Sequence, residues 1–213
     1  KEISDTDALY ILGDLFEFWI GDDDPAIELQ PIINSLRDLS TAGIQVFFIH
    51  GNRDFLVGST FAKSTHCKIL PEETIIDLYG TPTLIMHGDT LCTDDVAYQK
   101  YRAKARNKWI QKALLLLSVK QRLKIAERLR DKSIAATQGK QAEIMDVNQS
   151  AVERVMLTHN VQYLIHGHTH QPAIHEFTIN GSACKRIVLG DWYEQGSVLT
   201  CTPNGMTLET IQP

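Results

Sequence analysis

Three imidazoles alternate in the stretch Leu164-Ile165-His166-Gly167-His168-Thr169-His170-Gln171-Pro172. Neutral imidazole is the commonest transition-metal ligand among side chains. An extended backbone points alternate side chains the same way, so His168 and His170 are expected to aim at one spot, with His166 able to join them. Three further clusters offer complementary donors: Gly13-Asp14, His50-Gly51-Asn52-Arg53-Asp54 and His87-Gly88-Asp89-Thr90. Carboxylate, amide oxygen and imidazole form a mixed O/N set that suits Mn2+, Fe2+ or Zn2+ better than Ca2+. An Asp can bridge two cations, and a pair about 3.5–4 Å apart can generate hydroxide and clamp a phosphoryl group during in-line attack. Arg53 could hold a phosphate bidentately. The plainer readings are a polar turn with surface histidines and a surface ion pair for Arg53.

The elements that must position these donors are legible beside them. Residues 8–12, 44–49, 83–86 and 161–165 are short apolar runs, read as buried strands. Each ends at one of the four polar clusters, next to a glycine. Ligand sites in layered α/β proteins collect at strand C-termini. Residues 27–42 have helical spacing with Gly43 as the C-cap, and 55–63 and 141–159 are expected helices. Residues 94–132 are helical, amphipathic and interleaved with Lys and Arg. Strands are further expected at 74–79, 173–179, 185–189, 197–201 and 206–211, with turns at Gly80-Thr81-Pro82, Asn180-Gly181 and Asn204-Gly205. Asp22-Asp23-Asp24 reads as a solvated cap.

The 213 residues are 43% hydrophobic and 22% charged, enough for one domain with an insertion. No apolar run reaches the ~18 residues of a membrane span, and no signal peptide is visible. Cys67, Cys92, Cys184 and Cys201 are scattered, as expected of reduced structural residues in a cytoplasmic protein, so thiolate zinc has little support. The net charge of −5 is unevenly spread: residues 97–140 hold thirteen Lys and Arg against Glu127 and Asp131. That asymmetry suggests an anionic partner for the basic segment, although a solvated basic helix face would look the same.

In order and spacing, Gly13-Asp14, Gly51-Asn52, His87-Gly88 and Gly167-His168-Thr169-His170 resemble the calcineurin-like metallophosphoesterases. Longer stretches resemble the branch of that family acting on UDP-2,3-diacylglucosamine in lipid A biosynthesis. They are Gly13-Asp14-Leu15-Phe16, Trp19-Ile20-Gly21-Asp22-Asp23, His50 to Leu56, His87 to Cys92, Ile144 to Gln149 and Leu164 to His170. The resemblance implies an α/β layered sandwich with two β-sheets flanked by helices. It implies one domain over residues 1–213, with 94–140 inserted as a basic helical cap that holds acyl chains. By the same resemblance Asp14 bridges two Mn2+ ions, Asn52, His87 and His168 complete one site, and His170 serves the other. Asp14, Asn52, Arg53, His87 and His168 are then catalytic. Asn52, Arg53, Asp95, Ser133, Thr137, Lys140 and His168 fall where the family contacts substrate. The implied reaction is water attack on the α-phosphorus, releasing UMP and 2,3-diacylglucosamine 1-phosphate. The implied setting is cytoplasmic, peripheral to the inner membrane, with no nucleic-acid partner.

Two departures stand out. Arg53 occupies a position where the wider family has His, so it could stabilise phosphate charge instead of donating a proton. The family's opening Asp-x-His motif has no counterpart before Asp14, and the chain starts at Lys1-Glu2-Ile3. A fragment or processed form is therefore expected, its missing strand present in the natural protein. Two alternatives remain open. One is another two-metal phosphodiesterase or nuclease, whose basic segment binds nucleic acid. The other is a non-catalytic binding protein with a degraded metal site.

Overall fold

A computed structural model describes residues 6–137, 146–192 and 196–211, without the side chains of 134–137. The fold is mixed α/β, with helices flanking the sheets. Its contacts group into two compact units, residues 1–70 with 100–140 and residues 71–99 with 141–213.

In the first unit, β1 (Ala8–Ile11), β2 (Gln45–Phe48) and β3 (Lys68–Ile69) form a parallel sheet in that order. Parallel neighbours need a crossover, and helices α1 (Gln30–Thr41) and α2 (Ser59–Thr65) supply the two. α1 opens with Pro31 in its first turn, where the missing N–H costs nothing. It buries Ile33 and Leu36 and ends before Gly43, whose φ of +99° suits glycine. Phe16, Trp19, Phe48 and Phe61 pack between helices and sheet, with ring centroids 4.9–5.9 Å apart. Helix α3 (Val96–Ala105) leads into α4 (Lys108–Leu115) and α5 (Val119–Thr137). Asn107 caps α4 by accepting the Trp109 N–H at 2.9 Å.

Residues 55–58 are not helical, contrary to the sequence reading of a helix from 55. Val57 N–H instead closes a turn on Asp54 O. The first turn of α2 is capped from a distance: the Asp22 carboxylate accepts from the N–H groups of Gly58, Thr60 and Phe61 at 2.8–3.1 Å. Nor is Asp23 merely solvated, because it pairs with Arg122, which is 1% exposed.

In the second unit the sheet runs β4-β5-β6-β8-β7. Its strands are β4 (Glu73–Leu78), β5 (Thr81–Met86), β6 (Tyr163–His166), β7 (Ala173–Ile179) and β8 (Ser182–Val188). β5, β6 and β8 are parallel, so their C-terminal ends share one edge. Helix α6 (Gln149–His159) is the crossover from β5 to β6, capped by Asn148 and closed by Asn160 in left-handed geometry. Its Ala151, Val152 and Met156 pack on Leu84, Met86 and Leu164. Residues 141–145 of the helix expected at 141–159 lie outside the described residues. The β4–β5 turn is Tyr79-Gly80, both at positive φ, one residue ahead of the expected turn. A third sheet is the hairpin of β9 (Gly196–Thr202) and β10 (Gly205–Ile211), where two sheets were expected.

Candidate functional site

Each unit places its candidate donors beyond the C-terminal ends of two adjacent parallel strands. In the first unit, β1 leads to Asp14 and β2 to Asn52 and Arg53. Asp14 Oδ1 accepts the Arg53 N–H at 2.9 Å, and the Arg53 guanidinium lies 3.8 Å from Asp14 Oδ2. Arg53 also pairs with Glu17, and Glu17 holds Arg130 of α5 at 3.1 Å. Asn52 is half-buried in the same loop. Asp54 is fully buried and binds both loops, accepting the Leu15 and Gly51 N–H groups at 2.8 Å each. Ser133 is exposed on α5. Lys140 and the Thr137 side chain lie outside the described residues.

In the second unit, β5 leads to His87 and β6 to His168 and His170. Gly167 N–H donates to His87 O at 2.9 Å, which joins the two strand ends. The His87 and His168 rings are 5.0 Å apart, and Tyr98 packs 5.5 Å from His168. Tyr98 donates its hydroxyl to Asp89 Oδ2 at 3.0 Å. Asp95 is buried at the start of α3, accepting the Tyr98 N–H at 3.0 Å. His170 Nδ1 lies 3.2 Å from Asp191 Oδ2.

The histidine triplet is not an extended run. His168 and His170 have φ of +69° and +56°, and Asp14 has φ of +54°. Non-glycine residues adopt this region rarely, and at a cost that clusters at functional sites. His166 belongs to the core instead. It is fully buried on β6, with Nδ1 2.9 Å from Gly167 O and Nε2 3.2 Å from Arg186. Burial, and secondarily the Arg186 charge, push its pKa down to about 3, so the ring is neutral. Gly88, at φ +110°, leaves room for it: a Cβ there would meet His166 Nδ1 at 2.8 Å.

Residues 1–172 match the sequence model described as calcineurin-like phosphoesterase. The chain belongs to that family. Curated relatives of this phosphoesterase include the UDP-2,3-diacylglucosamine hydrolase of Nitrosococcus oceani, 55% identical over 93% of this chain and 80% of the relative. The proteins of the same name from Photobacterium profundum and Salmonella typhi are 50% and 51% identical, covering 99% and 97% of this chain and 86% of each relative. Among solved structures, vacuolar protein sorting 29 from Cryptosporidium parvum aligns over 97% of this phosphoesterase and 96% of that chain. At 12% identity and a TM-score of 0.41, the likeness does not bear on the assignment.

Sequence reasoning gave no role to Asp54, Glu17, Tyr98, Arg106 or Asp191. For Asp191 a signal was present. Val188-Leu189-Gly190-Asp191 repeats the pattern of apolar run, glycine and donor, and β8 ends on the same edge as β5 and β6.

Proposed function

We propose that this phosphoesterase hydrolyses UDP-2,3-diacylglucosamine at its pyrophosphate, in lipid A biosynthesis. The observation carrying the reading is the set of near full-length relatives at about half identity that bear that activity as their name. Water attacks the α-phosphorus, the bond to the bridging oxygen breaks, and UMP and 2,3-diacylglucosamine 1-phosphate leave.

By the family motifs they occupy, Asp14, His87 and His168 are the candidate ligand group for a divalent cation. We assign Asn52 to the same site and His170 to a second, with two Mn2+ ions as the cofactor. The donors fit such ions: oxygen and nitrogen with no thiolate, and a carboxylate behind His170 of the kind that orients metal-bound imidazoles. When bound, the cations lower the pKa of water and draw charge from the phosphoryl oxygens. Arg53 then faces the pyrophosphate and stabilises the charge building on it, with its guanidinium held by Glu17. Asn52, Asp95, Ser133, Thr137, Lys140 and His168 complete the substrate contacts.

Residues 94–140 serve as a cap for the acyl chains within one phosphoesterase domain. Support comes from apolar side chains exposed on its helices, Val96, Trp109, Ile110 and Leu116, interleaved with Lys108, Lys112 and Lys120. No described helix is long and apolar enough to cross a membrane. We place the protein at the cytoplasmic face of the inner membrane, held peripherally. The leucines and Trp109 favour lipid over nucleic acid as the anionic partner.

The direct test is release of UMP from UDP-2,3-diacylglucosamine by the full-length protein with Mn2+. Asp14→Ala and His168→Ala should each lower kcat by at least about 10³-fold, as expected for several kcal/mol of lost charge stabilisation. Unimpaired turnover in excess chelator would remove the metal reading.

A further inference from the structure

Gly51 has no space for a side chain. A Cβ there would stand 2.1 Å from Asp14 Oδ1 and 2.3 Å from the Asp14 nitrogen, so the Gly51 backbone lies directly against Asp14. What holds that backbone in place then decides where Asp14 sits. Both polar groups of Gly51 are engaged. Its N–H donates to Asp54 Oδ1 at 2.8 Å, and its carbonyl accepts from Arg106 Nη2 at 3.0 Å. The same Arg106 nitrogen reaches His50 O at 3.1 Å. The second Asp54 oxygen takes the N–H of Leu15, the residue after Asp14. One buried carboxylate therefore ties the loop after β1 to the loop after β2.

We infer that Asp54 is a positioning residue for the metal site. It fixes the spacing of Asp14 and Asn52 through Gly51, and Arg106 secures the opposite side of the same peptide. The inference rests on the proposal that Asp14 and Asn52 are ligands. The chemistry needs a carboxylate. Two converging N–H donors need two acceptors, whereas an asparagine offers one oxygen and turns an NH2 toward the other donor. Ligand-orienting partners of this kind typically cost 10–100-fold in metal affinity when lost.

The test is a Mn2+ titration of the full-length protein, read by the EPR signal of free Mn2+, on the parent, Asp54→Asn and Asp22→Asn. Asp22 is the control because it also collects backbone N–H groups, but those of Gly58, Thr60 and Phe61 at the start of α2, not those of Leu15 or Gly51 beside the ligands. Asp54→Asn should raise the Mn2+ Kd about 10–100-fold, and added Mn2+ should restore its activity. Asp22→Asn should lower the Tm but leave the Kd within about twofold of the parent. If Asp54→Asn does not fold, Arg106→Gln takes its place, with a Kd rise of at least about fivefold expected. A parent that binds no Mn2+ defeats the ligand assignment itself. A parent that binds, with Asp54→Asn or its replacement matching it or the Asp22 control shifting equally, overturns the role of Asp54 alone.

Discussion

His170 Nδ1 and Asp191 Oδ2 stand 3.2 Å apart, the first just beyond β6 and the second just beyond β8. The contact assigns the ring proton to Nδ1 and leaves Nε2 as the lone-pair nitrogen, the form in which an imidazole binds a cation. Asp191→Asn should therefore weaken metal retention about 10–100-fold, seen as metal content per chain after gel filtration. Both side chains are roughly 30% exposed, so the Tm should move little. Undiminished metal content in that variant would leave the pair without a role.

Trp109 and Leu116 are 78% and 88% exposed at the two ends of α4. Lys112 sits 5.2 Å from the Trp109 ring. This combination suits the boundary between anionic headgroups and acyl chains. Trp109→Ser with Leu116→Ser should reduce binding to phosphatidylglycerol vesicles by at least about tenfold, since a buried large apolar side chain contributes roughly 1.5–3 kcal/mol. Sedimentation with vesicles measures it. Equal binding by the double variant would place the contact elsewhere.

Burial, with Asp89, Asp146 and Asp95 nearby, pushes the Cys92 thiol up to about 12. The folded pKa is raised for an acid, so stability is unaffected below about pH 9. It falls as pH rises toward about 12, because only the unfolded chain ionises in that window. The slope is about 1.4 kcal/mol per pH unit. Urea unfolding of the parent and of Cys92→Ala at pH 8 and pH 10.5 isolates this part, since Lys and Tyr titrate alike in both. Parallel pH slopes would contradict it. The folded parent should also resist thiol reagents at Cys92 near pH 8.

Arg122 is almost wholly buried, donates to Ile20 O at 2.5 Å and pairs with Asp23. A Cβ on Gly21 would meet Arg122 Nη1 at 2.1 Å, so the guanidinium is packed into that turn. Arg122→Met keeps the stem but leaves the Ile20 carbonyl without this donor. Chemical denaturation should show a loss of about 3 kcal/mol, and a loss below about 1 kcal/mol would mean the pairing is incidental.

The strand ends were legible because the signal is local. A short apolar run followed by glycine and a donor is visible within seven or eight residues, and it located Asp14, Asn52, His87 and His168. What stayed hidden were side chains acting at a distance. Asp22 caps a helix 36 to 39 residues away, and Arg122 reaches Ile20 across 102. No periodicity records such pairings. Tyr79 at φ +53° hid the β4–β5 turn for another reason, as bulky residues seldom take that geometry and the adjacent Gly80-Thr81-Pro82 looks more like a turn. The spacing of His166 groups it with the candidate ligands, but β6 carries it into the interior, where Arg186 meets it.

Several cations of the basic stretch are already engaged inside their own unit. Arg106 bonds strand-end carbonyls, Arg122 is buried and paired with Asp23, and Arg130 is matched to Glu17. Burial, with Arg106 nearby, pulls Arg102 down to about 10. The tally of lysines and arginines therefore overstates the valence presented to an anionic surface. Displacement of counter-ions should scale with the exposed lysines and Arg128, so the logarithmic dependence of association on ionic strength will be shallower than the raw count suggests.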